Sequence, residues 1–220
     1  MESDGRTGRS KASKRARLVL KIVVGVLALV PAAGTIFRFF ADQLGANPIA
    51  EAMNELGLWT LILLCATLAC TPIKIVTGWT TVLTLQRLLG LCTFAYVSLH
   101  FLTYLVLDQF FDWGAIWQDI AKRKFITVGF LGFLLMVPLA ITSTDKMVKR
   151  LGFRRWKRLH RLVYAAAIAG VIHYVWRVKA DLRQPLVFVA VLFALFAVRV
   201  FDWARKRRRK TVAPASSRAA

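Results

Sequence analysis

Apolar positions along this chain come in long blocks, not at alternate residues or in the three-and-four spacing of a half-buried helix. Six blocks stand out: 18–40 (LVLKIVVGVLALVPAAGTIFRFF), 57–77 (GLWTLILLCATLACTPIKIVT), 88–107, 125–142 (FITVGFLGFLLMVPLAIT), 158–177 and 185–203. Runs of about 18 or more apolar residues with few charges indicate helices that cross a membrane. The last two blocks are the weakest by apolar count. The first is no cleaved signal peptide, because its apolar core is too long and no small-residue cleavage site follows. The pattern therefore predicts an all-α integral membrane protein, a bundle of six transmembrane helices over residues 18–204. A basic arm (1–17) precedes it and a basic tail (205–220) follows; the arm and the tail, which ends in KTVAPASSRAA, are expected to be disordered.

Composition agrees. Hydrophobic residues make up 57% of the chain and mean hydropathy is +0.54, which excludes an intrinsically disordered protein. The net charge of +21 needs its own account. Lysine and arginine number six in 1–17, two between the second and third blocks (Lys74 and Arg87), eight in 143–161 and seven from Arg205 onward. If six helices alternate in direction, these 23 fall on one side. The other side has none in 41–55, three in 108–124 and three in 177–184, against seven acids. This is the positive-inside pattern, with both termini cytoplasmic. It accounts for the charge without nucleic acid as a partner, and membrane lipid suffices to explain the RKRRRK run of the tail.

Few motifs remain. Cys65, Cys70 and Cys92 all lie inside apolar blocks without a CxxC spacing, as buried thiols do. There is no GxGxxG, P-loop or GxSxG, so neither a nucleotide fold nor a serine nucleophile is announced. Chemistry must sit inside the bundle or belong to a partner.

The histidines offer such chemistry. There are three, His100, His160 and His173, each in or at the edge of a block, and ionisable residues in a membrane usually face the bundle interior. The third and fifth helices run in the same direction. His100 lies about twelve residues beyond the start of one and His173 about fifteen beyond the start of the other, which puts both at similar depth in the outer half. Two imidazoles at one level on neighbouring helices can clamp a haem iron from both sides. Phe94, Tyr96, Phe101, Tyr104, Tyr164, Tyr174 and Trp176 are available as walls. A histidine hydrogen-bonded to a neighbouring helix is the plainer alternative for any one of the three. His160 lies about 20 Å deeper toward the cytoplasm, level with Gln86 and Arg87. A second haem there needs a non-histidine ligand or a five-coordinate iron. Gln86 shares a helix face with His100. Arg87 suits a haem propionate, a flavin phosphate or a positive-inside anchor better than a metal. His160 and His173 are offset by about 220° on an ideal helix, so both face the interior only if that helix is distorted, for which Gly170 is a candidate site.

The segments RLLGLCTFAYVSLHFLTYLVLDQ and TSTDKMVKRLGFRRWKRLHRLVYAAAIAGVIHYVWRVK resemble the family of haem-binding membrane subunits of the bacterial periplasmic methionine sulfoxide reductase system. That family lies within the ferric-reductase-like transmembrane group, which includes NADPH oxidases. The resemblance covers about residues 18–203, and LGFRRWKRLHRLVY and HYVW are fairly specific to the family. It implies a multi-pass inner-membrane protein with haem b and FMN. Such a protein passes electrons from the quinone pool or a cytosolic flavin reductase to a periplasmic molybdopterin-dependent catalytic subunit, its heterodimer partner, for repair of oxidised proteins. The resemblance carries the family's essential histidines onto His100, His160 and His173. Two-haem ferric reductases have a further histidine where Gln86 stands, which argues against a second haem. A cytosolic FAD and NADPH domain is not expected after the sixth helix, and NADPH is therefore not expected as the direct donor.

The mechanism expected is a transmembrane electron relay. Reduction occurs near His160, Arg87 and the run Arg154, Arg155, Lys157 and Arg158, whose guanidinium groups suit an FMN phosphate. Electrons leave outward from the level of His100 and His173. One rival is a standalone cytochrome that reduces ferric iron or oxidises quinol. Another is a transporter with relay histidines, which the absence of Asp or Glu from the interior of helices two to five disfavours. Ser98, two residues from His100, points to a different part of the helix and makes no protease.

Overall fold

The computed structural model describes residues 3–178 and 180–212, and it is helical throughout, with no strand among them. The helices are α1 (Ser3–Phe40), α2 (Pro48–Thr77), α3 (Gln86–Leu102), α4 (Trp113–Lys122), α5 (Lys124–Ile141), α6 (Asp145–Leu151), α7 (Phe153–Leu159), α8 (Leu162–Arg177) and α9 (Arg183–Val212). A 3-10 turn (Thr80–Thr84) precedes α3, and a π-helical stretch (Thr103–Asp108) extends it. Six segments are long and apolar enough to cross a membrane: Lys14–Phe40, Pro48–Thr77, Gln86–Asp108, Lys124–Ile141, Phe153–Arg177 and Arg183–Arg208. All six apolar blocks are thus helical spans. If all six cross, Ser3 and Val212 lie on one face, here called the terminal face; its opposite is the distal face.

Local chemistry sets the boundaries. α2 begins nine residues before the expected 57, because Asn47 accepts from the Ala50 N–H (3.0 Å), Pro48 opens the helix and Glu51 sits in its first turn. A search for apolar runs passes over such a polar first turn. Gly78, at φ +73°, closes α2 in the left-handed conformation, donating its N–H to the Lys74 carbonyl. Asp112 and Thr144 cap α4 and α6 in the same manner as Asn47. α4, short and amphipathic, was not foreseen. In the described residues the first helix runs from Ser3 and the last continues to Val212, so much of the arm and tail extends the terminal spans. Lysine and arginine are good helix formers, and extending a nucleated helix costs little. Residues 1–2 and 213–220 lie outside the described residues.

Two intimate pairs build the bundle, α2 with α3 and α5 with α8. The second is close because Gly132 faces Ala169 and Ala166, small residues that let helix backbones approach. α1 packs on the first pair through Ala28 and Ala32 against Cys92 and Tyr96, and α9 packs on α2 and α8 through Leu192. The outer faces of α1 and α9 leave Leu27, Leu29, Phe193 and Phe201 exposed, as lipid-facing surfaces do. A cavity remains between the two pairs.

Candidate functional site

The cavity measures about 630 Å³, within the range of cofactor sites, and opens toward the distal face. His100, from the α2/α3 pair, and His173, from the α5/α8 pair, both line it. Their ring centroids are 6.1 Å apart and their planes are inclined by 85°. Each histidine is held by the other helix of its own pair. His100 Nδ1 lies 2.8 Å from the Met53 carbonyl on α2, and His173 Nδ1 lies 2.7 Å from the Phe125 carbonyl on α5. A carbonyl only accepts, so both rings carry their proton on Nδ1 and keep the Nε2 lone pair free. Backbone carbonyls orient metal-binding imidazoles in this way.

Two glycines seat the rings. A Cβ at Gly129 would lie 2.5 Å from His173 Nδ1, and one at Gly57 would lie 3.1 Å from His100 Nδ1 and Cε1. With metal–imidazole bonds of about 2 Å, two rings on opposite sides of one ion have centroids about 6 Å apart. The observed spacing meets that requirement. Among the described residues no three His, Cys, Asp or Glu side chains cluster to hold a metal ion. An ion with only protein ligands thus has no such cluster to use, whereas a porphyrin brings four of six ligands itself. The donor set, the spacing and the apolar walls fit haem.

The other sequence candidates lie elsewhere. His160 caps α7 near the terminal face, its ring centroid 4.0 Å from that of Trp156 with the planes tilted by 31°, and with Nε2 3.1 Å from Thr142 Oγ1. Because that hydroxyl donates to the Pro138 carbonyl (2.6 Å), it accepts from His160 Nε2–H. The distortion expected at Gly170 is corrected: the fifth span breaks at His160 and Arg161, where Arg161 N–H bonds Arg158 in a 3-10 turn. Gly170 stays helical and instead lets Leu61 approach, 3.1 Å from where a Cβ would stand. Gln86 is the first residue of α3, far from the cavity. Arg87 is not on its wall either, since its guanidinium pairs with Asp145 at 2.5 Å.

Of the aromatics, Phe101, Tyr104 and Tyr174 line the cavity. Phe94 stacks on Phe133, Tyr164 lies under Arg199 and Trp176 is exposed. Tyr96 serves α1: its hydroxyl accepts from Ala32 N–H (2.8 Å) and donates to the Ala28 carbonyl (2.7 Å), beside Pro31 in the helix interior. The glycine seats and the cationic rim of Arg123 and Arg177 were missed. Arg177 was legible as the residue one turn beyond His173.

A family model described as the ferric reductase like transmembrane component matches residues 56–171. The protein-methionine-sulfoxide reductase heme-binding subunit MsrQ of Rhodospirillum rubrum is 53% identical over 202 residues, 92% of this chain and 97% of that protein. The chain belongs to the MsrQ family. MsrQ of Herminiimonas arsenicoxydans is 46% identical over 201 residues (90% and 92% of the two chains), and MsrQ of Caulobacter vibrioides 44% over 197 (90% and 94%). Membership and the six apolar helices make it a multi-pass protein of the bacterial inner membrane. The broader ferric-reductase match includes His100 and His160 and ends two residues short of His173, while the MsrQ matches extend over most of the chain.

Proposed function

We propose that this chain is the haem-binding membrane subunit of a protein-methionine-sulfoxide reductase. It relays electrons across the inner membrane to a periplasmic molybdopterin-dependent catalytic subunit that repairs oxidised proteins. The observation that carries this reading is the His100–His173 pair at 6.1 Å, each ring locked through Nδ1, in a chain whose relatives are named heme-binding subunits. A b-type haem held there supplies reversible one-electron chemistry. The chain's own residues present two Nε2 lone pairs, fix both tautomers through the Met53 and Phe125 carbonyls, and surround the site with hydrocarbon that limits water.

The positive-inside rule favours a cytoplasmic terminal face and a periplasmic distal face, toward which the cavity opens. On the cytoplasmic side the donor is a quinol or a flavin reductase. The exposed Arg154, Arg155, Lys157 and Arg158 of α7 suit an FMN phosphate there. The deciding experiment is the visible spectrum of purified protein. Six-coordinate b-haem bands are expected in the wild type and are expected to vanish in His100→Ala and His173→Ala. Bands unchanged in both variants overturn the reading.

A further inference from the structure

The cavity wall is unequal at its two ends. Toward the terminal face it is hydrocarbon, from Leu64, Val97, Phe133, Met136 and Ala166. Toward the distal face it carries Asn54, Tyr104, Asp108, Arg123 and Arg177, with the Asp108 carboxylate accepting from the Gln109 side-chain amide at 2.8 Å. Arg177 stands four residues beyond His173 on α8, hence on the same helix face about 6 Å farther out. Arg123 caps α5 two residues before Phe125, the residue whose carbonyl orients His173. The two cations differ in what they hold. Arg123 pairs with Asp119 (Nε to Oδ1 3.1 Å), a carboxylate that also accepts from the Tyr104 hydroxyl at 3.2 Å. Arg177 donates to the amide oxygen of Asn54 and has no carboxylate within ion-pair distance among the described residues. A guanidinium at the rim of an apolar cavity, with only an amide partner, has its charge open to an acid.

We propose that Arg177, with Arg123 as the second cation, binds the carboxylate arms of the cofactor in the His100–His173 cavity and so fixes its acidic edge toward the distal face. The inference rests on the haem-binding reading above. Haem b is chemically two-sided, with both propionates on one edge and only methyl and vinyl groups on the opposite one. The cavity is two-sided in the same sense. Turned the other way, the propionates lie among Leu64, Phe133 and Met136, where among the described residues no cation lines the wall and the nearest hydroxyl, Thr60, already donates to the Leu56 carbonyl. A planar guanidinium matches a carboxylate with two parallel hydrogen bonds, which an ammonium does not. Arg177 also places a positive charge one turn from a ligand histidine, which favours the reduced, less positive iron.

The test reconstitutes full-length protein, produced in haem-deficient cells, with haem b or with its dimethyl ester. Wild type is expected to bind the free acid about tenfold or more tightly than the ester, the worth of a charge-assisted hydrogen bond. Arg177→Gln is expected to keep six-coordinate bands, lose most of that preference and show a lower midpoint potential. Arg177→Lys is expected to retain part of the preference, and it carries the test if the glutamine variant does not accumulate. Equal binding of acid and ester by the wild type overturns the proposal. So does an Arg177→Gln protein that keeps the full preference and the wild-type potential. Wild type that takes up neither porphyrin overturns the haem-binding reading itself, and this proposal with it.

Discussion

His173 fits against α5 because residue 129 has no side chain. The clearance is 2.5 Å to a built Cβ, less than any real contact of that kind, whereas Gly57 leaves 3.1 Å beside His100. Gly129→Ala is therefore expected to displace the His173 ring and abolish most haem uptake, while Gly57→Ala lowers it partially; haem per chain in purified protein measures both. Arg87 gives the opposite case. Its partner Asp145 lies outside the spans, and the hydrogen bond and charge of Arg87 hold that carboxyl below its usual range. Such a pair contributes above the ordinary carboxylate pKa and is lost as pH falls through the lowered value. Both groups are solvated, so the contribution is small and salt-sensitive. Arg87→Gln is expected to keep wild-type haem content. The depth match of His100 and His173 was legible because each helical residue advances a fixed distance. The glycine seats were not, since they depend on which helices pair.

At the scale of the element, α1 is held at its weakest point. Pro31 has no N–H for the Leu27 carbonyl, and the Tyr96 hydroxyl of α3 enters the ladder just beyond, bridging Ala32 N–H and the Ala28 carbonyl. Tyr96 is only 1% exposed, so no water is at hand to replace it. Tyr96→Phe removes the bridge, leaving these two groups to bond only each other along α1, and is expected to cost about 1 kcal/mol of stability. Thermal unfolding in detergent should show this, with haem bands retained in the folded fraction. The six spans were readable from apolar run length, which the membrane imposes whatever the packing. α4 was not: its ten residues mix Trp113 and Trp117 with polar positions, below any length that spans a bilayer. The break at His160 also escaped, because no proline or glycine marks it there.

For the whole molecule, the distribution of charge predicts orientation. Single cysteines introduced in a background lacking Cys65, Cys70 and Cys92 provide the measure. A cysteine at Lys149 is expected to react with an impermeant thiol reagent only after the inner membrane is opened, and one at Asp181 in intact spheroplasts. The reverse result inverts the topology. The division of labour between helix pairs was beyond sequence reading, because α2/α3 and α5/α8 are joined by side-chain fit. One histidine comes from each pair, so the site reports on their docking. A variant that loosens α5 from α3 is expected to lose haem while keeping its helical content by circular dichroism.

Pro72 removes the donor that the Leu68 carbonyl would meet within α2, and Arg199 of α9 supplies another while its guanidinium also reaches the Tyr164 hydroxyl at 3.1 Å. The two partners are 131 residues apart in the chain. α2 by itself offers that carbonyl no donor, and Arg199 is costly in hydrocarbon without an acceptor, so each group is satisfied by the docking of α9. The last helix is thus expected to act as a latch on α2. Arg199→Leu is expected to insert α9 more readily but leave the latch open, giving a shorter cellular half-life in pulse–chase than Arg199→Lys. A bundle left unlatched is thereby expected to be exposed to the membrane's proteases.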